Sequence, residues 1–139
     1  MGMVTYTPAG IPATTPMLRA LRGATTVRAD DPACITDAVA ELLGVLVEEN
    51  GIAPAQVLSA IFSATGDLRS LYPAAVARRL GWHDVPMLCV REMDVDGAPE
   101  RCVRLLLHLA VEREAPLRPA YLHGARVLRP DLEQRQVRP

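Results

Sequence analysis

Four arginines occupy positions where a charged side chain needs a partner. Arg22 lies at the end of a predicted first strand, and Arg78 lies on a predicted short helix. Arg104 lies in the middle of an apolar strand, and Arg129 follows the last predicted strand. An unpaired buried charge is costly, so each guanidinium must meet an acidic side chain, an anionic ligand or solvent. The ordinary explanation of a lone strand arginine is an edge or interface ion pair, and the alternative is a site that binds carboxylates.

The sequence also excludes several chemistries. Its 15 basic residues are all arginines. A chain without lysine cannot form a Schiff base, hold pyridoxal phosphate covalently or complete a Walker A phosphate loop. The GxGxxG, GxSxG and HExxH signatures are absent, and the histidines at 83, 108 and 123 have no metal-ligand spacing. The three cysteines form no CxxC pair and predict no disulfide framework. We therefore expect neither a metal nor an organic cofactor.

Composition restricts the class of protein and its partners. The chain has 139 residues, enough for one domain, and half of them are hydrophobic. A formal net charge of -1 argues against nucleic acid or an anionic membrane as the main partner. No apolar run is long enough to span a membrane, and the N-terminus lacks the features of a secretory signal. These features predict a cytoplasmic protein with reduced thiols.

Periodicity predicts an alternation of strands and helices. A helix begins at Asp31-Pro32 and ends at Asn50-Gly51, with apolar residues at helical spacing between them. A shorter helix runs from Tyr72-Pro73 to Leu80-Gly81. Residues 1–16 are interpreted as a flexible extension, 17–132 as the domain, and 133–139 as a flexible tail. The predicted strands cover residues 17–22, 57–64, 86–93 and 101–111, with a strand pair or bent strand over 120–128.

The strand at 101–111 has two different faces. The odd-numbered residues from Val103 to Val111 are all apolar, whereas the other face carries Arg104 and His108. If helices cover only one face of such a sheet, the other face stays exposed to solvent unless a further surface packs against it. The sequence therefore predicts an α+β fold, a mixed sheet with helices on one face, and oligomerisation through the other face.

Six segments in order resemble the signature blocks of the Bacillus-type monofunctional chorismate mutases. They span most of residues 17–132. The segments are LRGATTV (21–27), SATGDL (63–68), YPAAVARRLGW (72–82), CVREMDV (89–95), RCVRLLL (101–107) and VLRPDL (127–132).

This resemblance implies a specific assembly and a specific reaction. The family's class I fold is a homotrimer with a pseudo α/β-barrel core, and its active sites lie in clefts between subunits. Its reaction converts chorismate to prephenate by a [3,3] Claisen rearrangement in the biosynthesis of phenylalanine and tyrosine. Such a rearrangement needs no nucleophile, metal or proton transfer, which agrees with the missing motifs. It requires a compact reactive conformer and stabilisation of the charge that develops as the C–O bond breaks.

The resemblance assigns roles to residues of one subunit. Arg104 matches the residue that meets the ether oxygen and a substrate carboxylate, and Glu92 matches the acceptor of the ring hydroxyl. A salt bridge from Glu92 to Arg91 or Arg104 is the structural alternative, and both roles are compatible. Arg22 and Tyr121 match carboxylate binders, although Tyr121 also fits an ordinary half-buried strand position. Cys89 matches a pocket cysteine, but its strand parity is opposite to that of Glu92, so both reach one pocket only if the strand bends or Cys89 contributes its backbone; a core position is an equal alternative.

A second group of residues matches the segment that the neighbouring subunit supplies in this family. Tyr72 stands where phenylalanine is common, and Ala75 replaces the lysine of the Bacillus enzyme, so one cation is missing. Arg78 is expected to supply the charge, and Ala74 belongs to the same segment. Gly66 stands where proline is usual, so its loop is expected to be looser.

Arg129 near the tail is a further candidate. It is expected to help cap the bound substrate, with a solvated surface position as the alternative.

Two rival functions fit an arginine-lined cleft between subunits. A non-catalytic trimer that binds a small carboxylate is the first, and Glu92 argues against it because such a binder needs no acidic residue facing a hydroxyl. An imine or enamine hydrolase of the Rid type is the second, and none of that family's signature is present.

Overall fold

The computed structural model describes residues 16–132, and these form one five-stranded sheet with two helices. The helices are α1 (Pro32–Asn50) and α2 (Pro73–Ala77), which continues directly into a π-helical turn (Arg78–Trp82). Short 3-10 helices cover Pro54–Gln56 and His123–Leu128. The strands are β1 (Pro16–Thr26), β2 (Val57–Ala64), β3 (Met87–Arg91), β4 (Cys102–Glu112) and β5 (Ala120–Tyr121). The predicted extension and tail lie outside the described residues, except Pro16, which begins β1.

Local sequence signals determine both ends of α1. The Asp31 side chain accepts a hydrogen bond from the Cys34 amide at 2.8 Å, and Pro32 occupies the first turn. Gly51 ends the helix with a left-handed φ of 59°, a conformation that glycine adopts without steric cost. The predicted start and end of this helix are confirmed.

The sheet is mixed, with the strand order β3-β2-β4-β1-β5. The central strand β4 pairs antiparallel with both β1 and β2, whereas β3 and β5 are parallel to their neighbours. The parallel pair β2–β3 is connected through α2, as a crossover connection requires. Both helices pack on the same face of the sheet. The predicted fold class, a mixed sheet with helices on one face, is confirmed.

The core lies between the helices and this covered face. The alternating apolar residues of β4 from Val103 to Val111 are all buried in it, as predicted, and pack with Leu42, Leu43 and Leu46 of α1. Gly23 of β1 faces the same helix, and a Cβ there would lie 3.0 Å from a Leu46 methyl carbon. The glycine therefore permits close packing of helix on strand. β1 does not end at Gly23, as the sequence predicts, but continues to Thr26, because its pairing with β4 extends to Cys102.

The opposite face of the sheet, called the open face below, has no helix over most of its area. By register it presents Leu18 of β1, Leu106 of β4 and Leu88 of β3. Leu18 is 66% exposed and Leu88 is 64% exposed. Large apolar side chains exposed together on one face are a feature of surfaces that become covered.

The prediction of strand over residues 120–128 is wrong for most of that segment. Only Ala120 and Tyr121 pair with β1, and a 3-10 helix follows. His123 has a φ of 52°, which turns the chain out of the extended conformation. The Gly124 amide donates to Thr26 Oγ1 at 3.1 Å, so the turn packs directly on the end of β1. Arg129 consequently follows a 3-10 helix and not a strand.

No helix within residues 16–132 is long and apolar enough to cross a membrane.

Candidate active site

A row of four residues crosses the open face of the sheet. Arg104 of β4 is paired with Ser63 of β2 on one side and with Ala24 of β1 on the other, and Ala24 is paired with Tyr121 of β5. Residues directly opposite each other on paired strands share a face. The buried Ala24 separates Arg104 from Tyr121, so the guanidinium and the phenol lie two strands apart on this face.

Glu92 reaches this row from the end of β3. Its amide donates to the Ala64 carbonyl at 2.9 Å, which continues the β3–β2 pairing by one residue. Its Oε2 accepts a hydrogen bond from Ser63 Oγ at 2.8 Å and lies 3.5 Å from Arg104 Nη1. The structure thus places Glu92 and Arg104 side by side, as the sequence predicts for either a salt bridge or a shared site.

The Arg104–Glu92 pair is not a closed ion pair. A bidentate arginine–carboxylate pair has shorter contacts, of about 2.7–2.9 Å, than the 3.5 Å found here. The Arg104 side chain is 46% exposed and that of Glu92 is 26% exposed. Both groups therefore retain accessible surface with which to meet a ligand on the open face.

Arg22 lies on the same face, one row away from Arg104. It is opposite Leu106 and its side chain is exposed. Two residues along a strand correspond to about 7 Å, so Arg22 and Arg104 can contact different ends of one small dicarboxylate.

Tyr121 and Arg129 meet at the β5 edge. Tyr121 packs with Leu128 on a small second cluster of Ala24, Cys102 and Ala125, where the final 3-10 helix covers one end of the open face. Arg129 donates two hydrogen bonds to Asp131, at 3.0 and 2.8 Å, and the nearby Tyr121 contributes to its electrostatic environment. Hydrogen bonding to Asp131 raises the pKa of Arg129 above its usual value.

The second predicted group lies on the helix side of the sheet. Tyr72 precedes α2 and is 72% exposed, and Arg78 follows α2 and is also exposed. Ala75 is half-buried, whereas Ala74 is 3% exposed and packs into the core of its own chain. This segment is therefore separated by the thickness of the sheet from the arginine and glutamate of the same chain.

Cys89 also lies on the helix side. It pairs with the buried Phe62 and packs against the main core, which agrees with the strand parity predicted from the sequence. It lines a cavity of about 510 Å³ together with Tyr72, Gly66 and Arg91. A Cβ at Gly66 would lie 2.6 Å from an Arg91 guanidinium nitrogen, so the glycine leaves room for that side chain. The structure thus brings Cys89 together with Tyr72 and not with Glu92.

Other features of the described residues offer no competing catalytic centre. Residues 16–132 contain no cluster of three or more histidine, cysteine or acidic side chains that could hold a metal ion. A larger cavity of about 920 Å³ lies beside the start of α1, and none of the predicted site residues lines it.

Sequence reasoning missed Ser63. Its alternation with Ser59 along β2 places both hydroxyls on one face, but only the β2–β4 register shows that this face is the one that carries Arg104. Without knowledge of that pairing, no local signal distinguishes Ser63 from an ordinary strand serine.

The fold is a small mixed α+β domain that presents Arg104, Glu92 and Tyr121 near one another on its open face, and comparison with known proteins identifies the family. The model of the family "Chorismate mutase type I" matches residues 18–132, so the chain belongs to that family. The resemblance seen in the six sequence blocks is thereby confirmed, and with it the prediction of an isomerase family.

Three relatives illustrate the similarity. The chain is 41% identical over 120 residues to chorismate mutase AroH of Bacillus subtilis (strain 168), covering 84% of this chain and 93% of that protein. It is 43% identical over 122 residues to chorismate mutase AroH of Thermus thermophilus, covering 86% of this chain and all (100%) of that protein. The solved structure of a chorismate mutase from Clostridium thermocellum superposes with a TM-score of 0.75 at 35% identity, covering 78% of this chain and 98% of the other.

Proposed function

We propose that this protein catalyses the conversion of chorismate to prephenate, and that it does so in the biosynthesis of phenylalanine and tyrosine. The observation that supports this proposal best is the half-exposed Arg104, held 3.5 Å from Glu92 on an open sheet face. Chorismate carries two carboxylates, an ether oxygen and a ring hydroxyl. A guanidinium can donate hydrogen bonds to the first two kinds of oxygen, and a carboxylate beside it can accept one from the ring hydroxyl.

The proposed mechanism is conformational selection combined with electrostatic stabilisation. Arg22 and Tyr121 hold the carboxylates, Arg129 caps the bound substrate, and Glu92 accepts a hydrogen bond from the ring hydroxyl. Together they fix the compact conformer in which the bond-forming carbons are close. As the C–O bond breaks, negative charge grows on the ether oxygen, and Arg104 interacts with that charge more strongly than with the ground state. The pericyclic step uses only atoms of the substrate, so no cofactor takes part.

We propose that the active protein is a homotrimer with its sites between subunits. The exposed apolar side chains of the open face support an assembly through that face. The separation of Arg78 and Tyr72 from Arg104 by the sheet supports sites that are completed by a neighbouring copy, which would supply Tyr72, Ala75 and Arg78. Ala74 would support this segment from inside its own chain, and Cys89 would reach the pocket beside Glu92 of its own subunit through its backbone. A cytoplasmic location and chorismate as the small-molecule partner belong to the same proposal.

The test is a chorismate-depletion assay on the purified protein, with prephenate identified as the product. Arg104→Ala is expected to lower kcat/KM by a factor of about 10²–10³, which corresponds to the loss of about 3–4 kcal/mol of transition-state stabilisation. Arg113→Ala is the matched control, because Arg113 follows the same strand but is 77% exposed and pairs with the neighbouring Glu114 at 3.9 Å. Arg113 belongs to neither of the proposed groups of site residues, so its replacement should leave the rate unchanged.

Binding without turnover would favour the rival function, a non-catalytic protein that binds a small carboxylate. If the folded wild-type protein binds chorismate without converting it, the arginine cleft is a carboxylate-binding site and the enzymatic proposal is rejected.

A further inference from the structure

Ser63 connects the two groups that the proposed mechanism uses. It lies on β2 directly opposite Arg104, and its hydroxyl donates to Glu92 Oε2 at 2.8 Å. The side chain is half-buried on the open face. Ser63 is therefore close enough to control the orientation of Glu92.

The hydrogen bond determines which carboxylate oxygen is available. Oε2 of Glu92 receives the Ser63 hydroxyl and faces Arg104 at 3.5 Å. Within the described residues, the contact to Oε1 is a long one, 3.3 Å from the Met93 amide. Oε1 is thus the oxygen with capacity for a strong additional hydrogen bond.

We propose that Ser63 is a positioning residue for the rearrangement, which holds Glu92 out of a close ion pair with Arg104 and directs its second oxygen towards the substrate hydroxyl. The inference rests on the proposed function. Without the serine hydroxyl, the strongest arrangement left to the carboxylate is a bidentate pair with the Arg104 guanidinium. That pair would neutralise the cation needed at the ether oxygen and would turn the acceptor away from the ring hydroxyl.

Ser59 provides a matched control. It lies on the same strand and the same face, and its Oγ is 3.0 Å from His108 Nδ1 on the neighbouring strand. Four residues of strand separate the two serines by about 13 Å. Ser59→Ala therefore removes the same hydroxyl and a similar cross-strand hydrogen bond, but away from Glu92.

The experiment compares Ser63→Ala, Ser63→Thr and Ser59→Ala in the chorismate assay, with thermal melting and sedimentation to verify folding and assembly. Loss of a group that orients a catalytic residue typically costs about 10- to 100-fold, and we expect kcat/KM of Ser63→Ala to fall by that factor. Ser63→Thr keeps the hydroxyl and should recover most of the activity. Ser59→Ala should match the wild type.

A double-mutant cycle separates positioning from a merely structural role. If Ser63 acts through Glu92, Ser63→Ala should cause little further loss in a Glu92→Gln background. Full activity of Ser63→Ala, or an equal loss in both backgrounds, would overturn the inference.

Inactive wild-type protein would refute the proposed function. A binding measurement tests the role of Ser63 separately from that outcome. Two bicyclic dicarboxylates that resemble the transition state, one with the ring hydroxyl and one without it, are titrated by calorimetry. Wild type should prefer the hydroxylated compound by about tenfold or more, the contribution of a hydrogen bond to a charged group. Ser63→Ala should lose that preference while still binding both, and an unchanged preference would refute the role of Ser63.

Discussion

Mixing two inactive variants tests whether each site is divided between two copies of the chain. Arg104 lies on the open face of the sheet, whereas Arg78 follows α2 on the helix side. If one substrate needs both guanidinium groups, they must come from different subunits. Arg104→Ala alone should lower kcat/KM by about 10²–10³-fold. Arg78→Ala should lower it by about 10- to 100-fold, the contribution of one charge-assisted hydrogen bond.

The expected recovery follows from counting interfaces. In a trimer assembled at random from equal amounts of the two variants, a cleft is intact when its Arg104 comes from an Arg78→Ala chain and its Arg78 comes from an Arg104→Ala chain. Each condition holds for half of the subunits, so about one quarter of the clefts are complete and about a quarter of the wild-type rate should return. The assay is chorismate depletion on the unfractionated reassembled mixture; hybrids isolated from it through two different affinity tags have one complete cleft per trimer and should show about a third of the wild-type rate.

A second mixture serves as the control. Arg104 and Glu92 are 3.5 Å apart in one chain, so Arg104→Ala mixed with Glu92→Gln restores no complete cleft and should remain as slow as its parents. If hybrids of Arg104→Ala and Arg78→Ala are no faster than their parents, each site lies within a single chain, and the proposed division of the site is refuted.

Three further predictions concern stability and reactivity. Gly23→Ala should lower the free energy of unfolding by about 1–3 kcal/mol in urea titrations, because its Cβ would lie 3.0 and 3.1 Å from two leucine methyl carbons of α1. Burial raises the pKa of the Cys102 thiol to about 11, so iodoacetamide in mildly alkaline buffer should alkylate it only after denaturation, as judged by mass spectrometry of folded and unfolded protein. Burial by itself would raise the pKa of Asp67, but hydrogen bonds from Thr65 and from the Arg101 amide lower it below its ordinary 3.8. Since the folded state then binds fewer protons than the unfolded state, ionised Asp67 stabilises the fold. This contribution to the free energy of unfolding is full above pH 3.8 and is lost as the pH falls through the folded pKa. Asp67→Asn should cost about 1 kcal/mol near neutral pH and less in acid, and equal destabilisation at both pH values would contradict the assignment.

The elements whose signals are local could be predicted from the sequence. The cap at Asp31, the proline after it and the left-handed Gly51 determine the ends of α1 without reference to the rest of the chain. Strict alternation along β4 likewise indicates which side chains enter the core and places Arg104 on the other face. These signals suffice because each depends on residues a few positions apart.

The features that depend on tertiary contacts could not be predicted in this way. The segment after Tyr121 is predicted as a strand, but it turns where the Gly124 amide bonds to Thr26, almost one hundred residues earlier. A glycine after a run of strand residues typically indicates the end of the strand, but the absence of a Cβ at Gly23 allows α1 to pack closely against β1. The contribution of Ser63 to the site depends on the β2–β4 register, which only the assembled sheet defines.

The open face connects the proposed assembly with the proposed chemistry. Its apolar residues and Arg104 share one surface, so a subunit that covers the former also removes water from the latter. Electrostatic interactions strengthen as water is excluded, and a cation at the ether oxygen then discriminates more sharply between transition state and substrate. A lysine in such a cleft would tend to lose its proton on desolvation, whereas a guanidinium keeps its charge. A chain whose basic residues are all arginines can therefore bury its cations at an interface and retain the positive charge that the rearrangement requires.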